Sequence, residues 1–397
     1  MPFGYLITTG VIAIYVLFAV APPRPARSSP FRLSFWLGYL VNELPFLAFY
    51  VLVATTALAI GQGDIANPVG WTGLGLAVLA TAGLVVVVLR ATRTGAAVDE
   101  ALSTAGLPAR APRRLRLRIF FWPFAAPHPG IERISNIAYD DVGRRRANLL
   151  DVYRSRSHSG IGPTLIHLHG GGFRIGNKSR EARPLFHRLA RRGWVCISAN
   201  YRLRTQFPDP LVDLKKVLAW VREHGPEYGA DPNVVFVAGS SAGGHIASMA
   251  ALTANDPSLQ PGFADADTSV TAVVSLYGYY GSTGPGRTSP MAHDAQDAPP
   301  FFVAHPDRDT LVVVEDARRF VEHLRDTSPS PVVYAELLGA QHAFDFFYSI
   351  RFEAVIDGIE AFADDVLRRA SSRRPSRAPG PVTGSSGSSG RGRAERR

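Results

Sequence analysis

The chain has 397 residues, 46% of them hydrophobic, a formal net charge of +10 and one cysteine, Cys196. That length exceeds a single average domain, and one cysteine excludes an intrachain disulfide. The positive charge gathers after the first 90 residues and in the C-terminal tail with no nucleic-acid-binding motif beside it, so nucleic acid is not an expected partner.

Residues 3–21 form an uncharged apolar run, 35–60 a second interrupted only by Asn42, Glu43 and Pro45, and 71–89 a third without charge. Each is long enough to cross a bilayer as a helix, so residues 1–92 are expected to be a membrane domain with three transmembrane helices. The first run lacks a basic start, and Ala19-Val20-Ala21 precedes Pro22-Pro23, a poor cleavage context, so it reads as a retained anchor. Arg24, Arg27 and Arg32 lie between the first two runs; Arg90, Arg93, Arg110, Arg113, Arg114, Arg116 and Arg118 follow the third, whereas the 61–70 loop carries only Asp64. Three spans put both arginine groups on one side, which the retention of basic loops makes the cytoplasm. The expected location is the cell membrane, multi-pass, with the catalytic part cytoplasmic and the N-terminus outside. Residues 93–130 read as a basic and aromatic juxtamembrane linker whose Phe120-Phe121-Trp122-Pro123-Phe124 cluster suits headgroup depth, making the lipid bilayer an expected partner.

From 131 to 369 short β-like runs alternate with helical stretches. Ala147–Val152, Thr164–Leu168, Trp194–Ala199, Val234–Ala238, Val270–Leu276, Phe301–Ala304 and Val332–Leu337 read as strands. Helices are expected over 180–192, 210–224, 312–325 and 349–369, and from Gly243. The alternation predicts an α/β domain with a mostly parallel sheet. Residues 370–397, rich in Ser, Arg, Pro and Gly, read as a disordered basic tail.

Three stretches carry chemistry. Gly239-Ser240-Ser241-Ala242-Gly243-Gly244 joins a hydrophobic strand to a small-residue helix, and its Gly-x-Ser-x-Gly frame places Ser241 at the tip of a nucleophile elbow. His169-Gly170-Gly171-Gly172-Phe173 follows the strand ending at Leu168. Such a loop can turn backbone N–H groups toward a developing oxyanion, and those of Gly171 and Gly172, with that of Ala242, are the candidates. A serine hydroxyl needs a histidine to take its proton and a carboxylate to orient that histidine. The chain order Ser, acid, His leads to the loop after Phe301–Ala304, where Asp307 and Asp309 both qualify, and then to His342 in the loop after Leu337. His167, His245 and His323 fall inside expected strands or helices and read as structural.

These motifs resemble the α/β-hydrolase superfamily, in particular the hormone-sensitive-lipase-like esterases with their His-Gly-Gly-Gly loop and Gly-x-Ser-Ala-Gly-Gly elbow. The likeness covers about 131–369, and the whole chain resembles membrane-anchored esterases or lipases of mycobacteria and related actinobacteria. The resemblance implies an α/β-hydrolase fold, with Ser241 as nucleophile, His342 as base and Asp309 as acid through its match to a His-Gly-x-x-Asp-type loop. It implies an esterase or lipase acting on a lipophilic or short-to-medium acyl ester, without metal or organic cofactor. Ser240 departs from the Asp of many lipase-like members and Pro306 from the usual Gly. An amide or formamide hydrolase of the kynurenine-formamidase-like type is the nearest alternative; a catalytically inactive membrane-tethered binding protein on the same fold is another.

Overall fold

The computed structural model describes residues 2–23, 29–108, 117–125, 127–140 and 147–373. The expected roles of Arg24, Arg27, Arg110, Arg113, Arg114, Arg116 and the tail beyond 373, like the side chain of Arg32, lie outside the described residues. The N-terminal part comprises α1 (Pro2–Val20), α2 (Ser29–Glu43), α3 (Pro45–Gly61) and α4 (Pro68–Thr104), followed by the short α5 (Arg118–Phe121).

α1 and α4 pack through small residues. Gly70, Gly73, Ala77, Ala80, Leu84, Val87 and Ala91 form the buried seam of α4 at alternating three- and four-residue steps, the spacing of one helix face. The outward faces are large and apolar: Phe3, Ile7, Val11, Ile14 and Leu17 on α1, Trp71, Val78, Leu79, Val85 and Leu89 on α4. Small residues inside and large apolar ones outside invert the usual pattern of a water-facing bundle.

The second apolar run is not one straight helix. It breaks at Leu44, and α2 meets α3 at 88°. Pro45 has no N–H to continue the ladder and disfavours helical geometry in the residue before it, and Leu44 sits at φ −124°, ψ 47°. Among the described residues two helices, α1 and α4, are individually long and apolar enough to cross a membrane, with the bent pair a third only if counted as one. α4 also runs through the expected boundary at residue 92. Its last turns bury Val98, Ala101 and Leu102 in a core shared with Phe302, Ile356 and Phe362.

The remaining chain forms β1 (Ile131–Ala138), β2 (Leu149–Ser155), β3 (Gly162–Leu168), α6 (Arg183–Ala190), β4 (Val195–Ala199), α7 (Asp209–His224), β5 (Ala230–Ser240), α8 (Ala242–Leu252), β6 (Ala272–Leu276), β7 (Phe301–Pro306), α9 (Val314–Thr327), β8 (Val332–Leu337) and α10 (Ile350–Arg373). One eight-stranded sheet has the order β1-β2-β4-β3-β5-β6-β7-β8. β2 is antiparallel to both neighbours and every other pair is parallel. β4, β6 and β7 are buried throughout, and two apolar cores cover the two faces. Strand order reverses beside β3 and β5, and the loops leaving their carboxyl ends are the glycine loop and the elbow.

Candidate active site

Ser241 stands between β5 and α8 with φ 55° and ψ −115°, a conformation that costs a non-glycine residue free energy and is held by its surroundings. Its N–H donates to Leu276 O at 2.9 Å, and its carbonyl accepts from Tyr279 N at 3.2 Å. The close crossing of strand and helix requires glycine on both sides. A Cβ on Gly239 would lie 2.1 Å from Gly243 O, and one on Gly243 2.1 Å from Leu168 O.

His342 sits after β8 and Asp309 after β7. His342 Nε2 lies 2.9 Å from Ser241 Oγ, and its Nδ1 lies 2.6 Å from Asp309 Oδ2. With the Asp309 carboxylate as acceptor, Nδ1 carries the proton and Nε2 is free to accept one from the serine. Leu311 N and Val312 N each donate to Asp309 Oδ1 at 2.8 Å. Burial would raise the Asp309 carboxyl, yet the adjacent His342 and His305 imidazoles and the Val312 N–H hold it below the ordinary carboxylate range. His305 donates from Nε2 to Val312 O at 3.1 Å and approaches Asp309 Oδ2 at 3.6 Å, so it fastens the acid's loop from behind. Asp307 is elsewhere: its Oδ1 accepts the N–H of Gly339 at 2.6 Å. Of the two carboxylates left open by the loop sequence, Asp309 alone meets the histidine.

In the glycine loop, Gly171 and Gly172 have φ of 112° and 59°, backbone that side-chain-bearing residues rarely adopt. Their N–H groups find no protein acceptor among the described residues. The N–H of Gly170 donates to Glu181 Oε2 at 2.5 Å. Ala242 opens α8, where the first N–H groups have no intrahelical acceptor.

Beneath the three loops lies a buried polar network that the sequence reading did not single out. Ser240 Oγ donates to Asp345 Oδ2 at 2.6 Å and accepts from His167 Nε2 at 3.0 Å; Tyr277 OH donates to Asp345 Oδ1. The Tyr277 ring packs on the His342 imidazole with centroids 4.5 Å apart. Burial drives both the Glu181 and Asp345 carboxyls upward, and the Asp345 charge raises Glu181 further. Asp345 therefore places at Ser240 the carboxylate that the elbow sequence itself lacks. Its sequence signal was its position three residues after His342, but nothing local says that it turns inward. His167 and His245 lie on a strand and a helix, as expected, the latter bonded through Nδ1 to Tyr279 O at 3.1 Å. His323 likewise donates to His293 O at 2.9 Å.

A family model described as BD-FAE matches residues 150–283, from β2 past the elbow. Among solved structures, Thermogutta terrifontis esterase 2 phosphoramylated by tabun superposes with a TM-score of 0.53, covering 61% of this chain and 96% of that one at 23% identity. A carbohydrate esterase from gut microbiota gives 0.51 at 19% identity, covering 60% of this chain and 96% of its own. Both likenesses bear on the fold. Esterase LipQ of Mycobacterium tuberculosis is 38% identical over 63% of this chain and 68% of its own length. LipM of the same organism, named a probable carboxylic ester hydrolase, is 35% identical over 430 residues, which cover 96% of each chain. A likeness that spans the helical N-terminal part as well as the sheet, on a fold with esterases as structural neighbours, shows that the chain belongs to the LipM-like carboxylic ester hydrolases of the α/β-hydrolase fold.

Proposed function

We propose that the protein is a membrane-held serine hydrolase that cleaves lipophilic or short-to-medium acyl esters through Ser241, His342 and Asp309. The observation that carries this reading is the continuous line Asp309–His342–Ser241, with contacts of 2.6 and 2.9 Å. Ser241 Oγ would attack the ester carbonyl as His342 Nε2 takes its proton, forming the C–O bond of a tetrahedral intermediate. The N–H groups of Gly171, Gly172 and Ala242 would receive the oxygen as its charge develops. Collapse expels the alcohol, to which His342 returns the proton. Water then enters, gives its proton to His342, and releases the acid while Ser241 Oγ regains a proton. Asp309 stays ionised and holds the imidazole in the required tautomer.

The apolar outer faces of α1 and α4 support insertion in a bilayer, with the hydrolase domain on the cytoplasmic side. Arg90 donates to Val20 O, the last residue of α1, at 2.7 Å, so basic side chains gather where α1 ends against the domain. The test is a fluorophosphonate probe with an ester assay on the full chain. One labelled serine is expected, and Ser241→Ala should abolish labelling and reduce turnover by about four orders of magnitude or more. Undiminished turnover in that variant would remove the reading.

A further inference from the structure

One side of the active site is supplied by the N-terminal helices. The ring of Phe35, on α2, meets the His342 imidazole edge-on with centroids 6.1 Å apart and stacks on Tyr39, one turn later, at 4.9 Å. Phe35 is 8% exposed and shares a core with Tyr277, Ala343 and Phe344, the residues around the same imidazole. α2 is held there firmly. Its last residue, Glu43, accepts from Arg351 Nη1 and from Ser349 Oγ, each at 2.6 Å, and all three side chains are buried. At the end of α1, Val20 O also accepts from Arg308, the neighbour of Asp309 in sequence.

The other face of α2 is apolar and open. Trp36 is 60% exposed and Leu40 38%. Trp36 meets Phe35 edge-on at 5.1 Å, so a line of rings runs from the outer surface to the catalytic imidazole. A helix that only completed a core would need no large apolar side chains outside. One that lies along an apolar phase and reaches the reaction centre with its inner face would have both.

We propose that Phe35 is a specificity-determining residue: it is the wall that α2 lays over His342, and it receives the apolar part of an ester that arrives from the lipid side of α2. The proposal rests on the serine-hydrolase reading above. Its physical basis is that each methylene buried against such a wall favours binding, whereas a short polar ester gains little from it.

The test uses the full chain in phosphatidylcholine liposomes, with p-nitrophenyl butyrate and p-nitrophenyl dodecanoate as substrates and the active serine counted by a fluorophosphonate probe. Phe35→Ala should lower kcat/KM for the dodecanoate relative to the butyrate by at least about tenfold, the size expected when an apolar site loses a wall. Leu40→Ala, on the outer face, should leave the ratio unchanged. Should Phe35→Ala fail to fold and label, Phe35→Leu carries the same comparison with a smaller shift expected. An unmoved ratio in a fully labelled Phe35 variant overturns the proposal. So does an equal loss on both esters, which would mean a displaced imidazole. Turnover surviving in Ser241→Ala would overturn the serine-hydrolase reading itself, and the proposal with it.

Discussion

At the level of single residues, the site separates two carboxylates that stand two positions apart. Asp309 bonds the histidine, whereas Asp307 is occupied with Gly339 N–H. Asp309→Asn should therefore reduce kcat by about three to four orders of magnitude by spoiling the imidazole tautomer, and Asp307→Asn far less. Steady-state rates for the two variants decide the ranking, and the reverse order would move the acid to Asp307. The buried network behind the serine makes a second, independent claim. Burial pushes the Asp345 carboxyl up to about 6, beside Glu181. An acid raised above its unfolded value of about 4 favours the folded state when protonated, so this contribution is complete below about pH 4 and is lost as pH rises through about 6. Asp345→Asn should flatten that part of the profile, as read from thermal midpoints across pH. A slope retained in the variant would assign the effect to another group.

At the level of elements, most of the sheet and the three loops that meet at the candidate site were legible. Strands buried on both faces are continuous apolar runs, and glycine loops mark the turns between them. β1 was not singled out, because a bulge between Ile134 and Ile137, with Asn136 at φ 63°, disturbs its alternation. The Ser241, His342 and Asp309 positions could be reached from motif order, with Asp309 separated from Asp307 only through a family likeness. Glu181, Asp345 and Phe35 could not, since they act through tertiary contacts with no local pattern. The bend in the second apolar run was not legible for a related reason: hydropathy does not record that Glu43 turns in to meet Arg351 and Ser349, and the run still supplies a third span if the bent pair is counted as one. That corner should be costly to disturb. Glu43→Ala leaves Arg351 buried and unpaired, a loss of about 3–5 kcal/mol. The checking measurement is the thermal midpoint in detergent, and an unaltered midpoint would mean that the pair contributes little.

At the level of the whole molecule, the N-terminal helices and the sheet are one packed body. Val98 and Leu102 lie in the hydrolase core, and Phe46 packs on Phe120 with centroids 4.5 Å apart. The junction arginine Arg118 is engaged too, pairing with Glu353 at 2.9 Å and lying 3.4 Å over the Tyr348 ring, which leaves less of the basic stem for lipid headgroups than its sequence implied. A reporter fused after residue 373 should behave as cytoplasmic and a tag at the N-terminus should be reachable from outside. Cleavage of the hydrolase domain by an impermeant protease on intact cells would reverse that orientation.

α4 adds a mechanical consequence. Its 37 residues form one helix about 55 Å long, against a hydrocarbon layer of about 30 Å, and its C-terminal turns are embedded in the hydrolase core. If α4 crosses a bilayer as proposed, it is a rod clamped at one end and threaded through a film at the other, with no break in its helix. In a bilayer thicker or thinner than its apolar stretch, α4 must tilt, and the domain rigidly fixed to it must tilt as well. With the proposed membrane placement, the height and pitch of Ser241 over the lipid surface would then be set by membrane thickness, and the hydrolase would act as a gauge of that thickness.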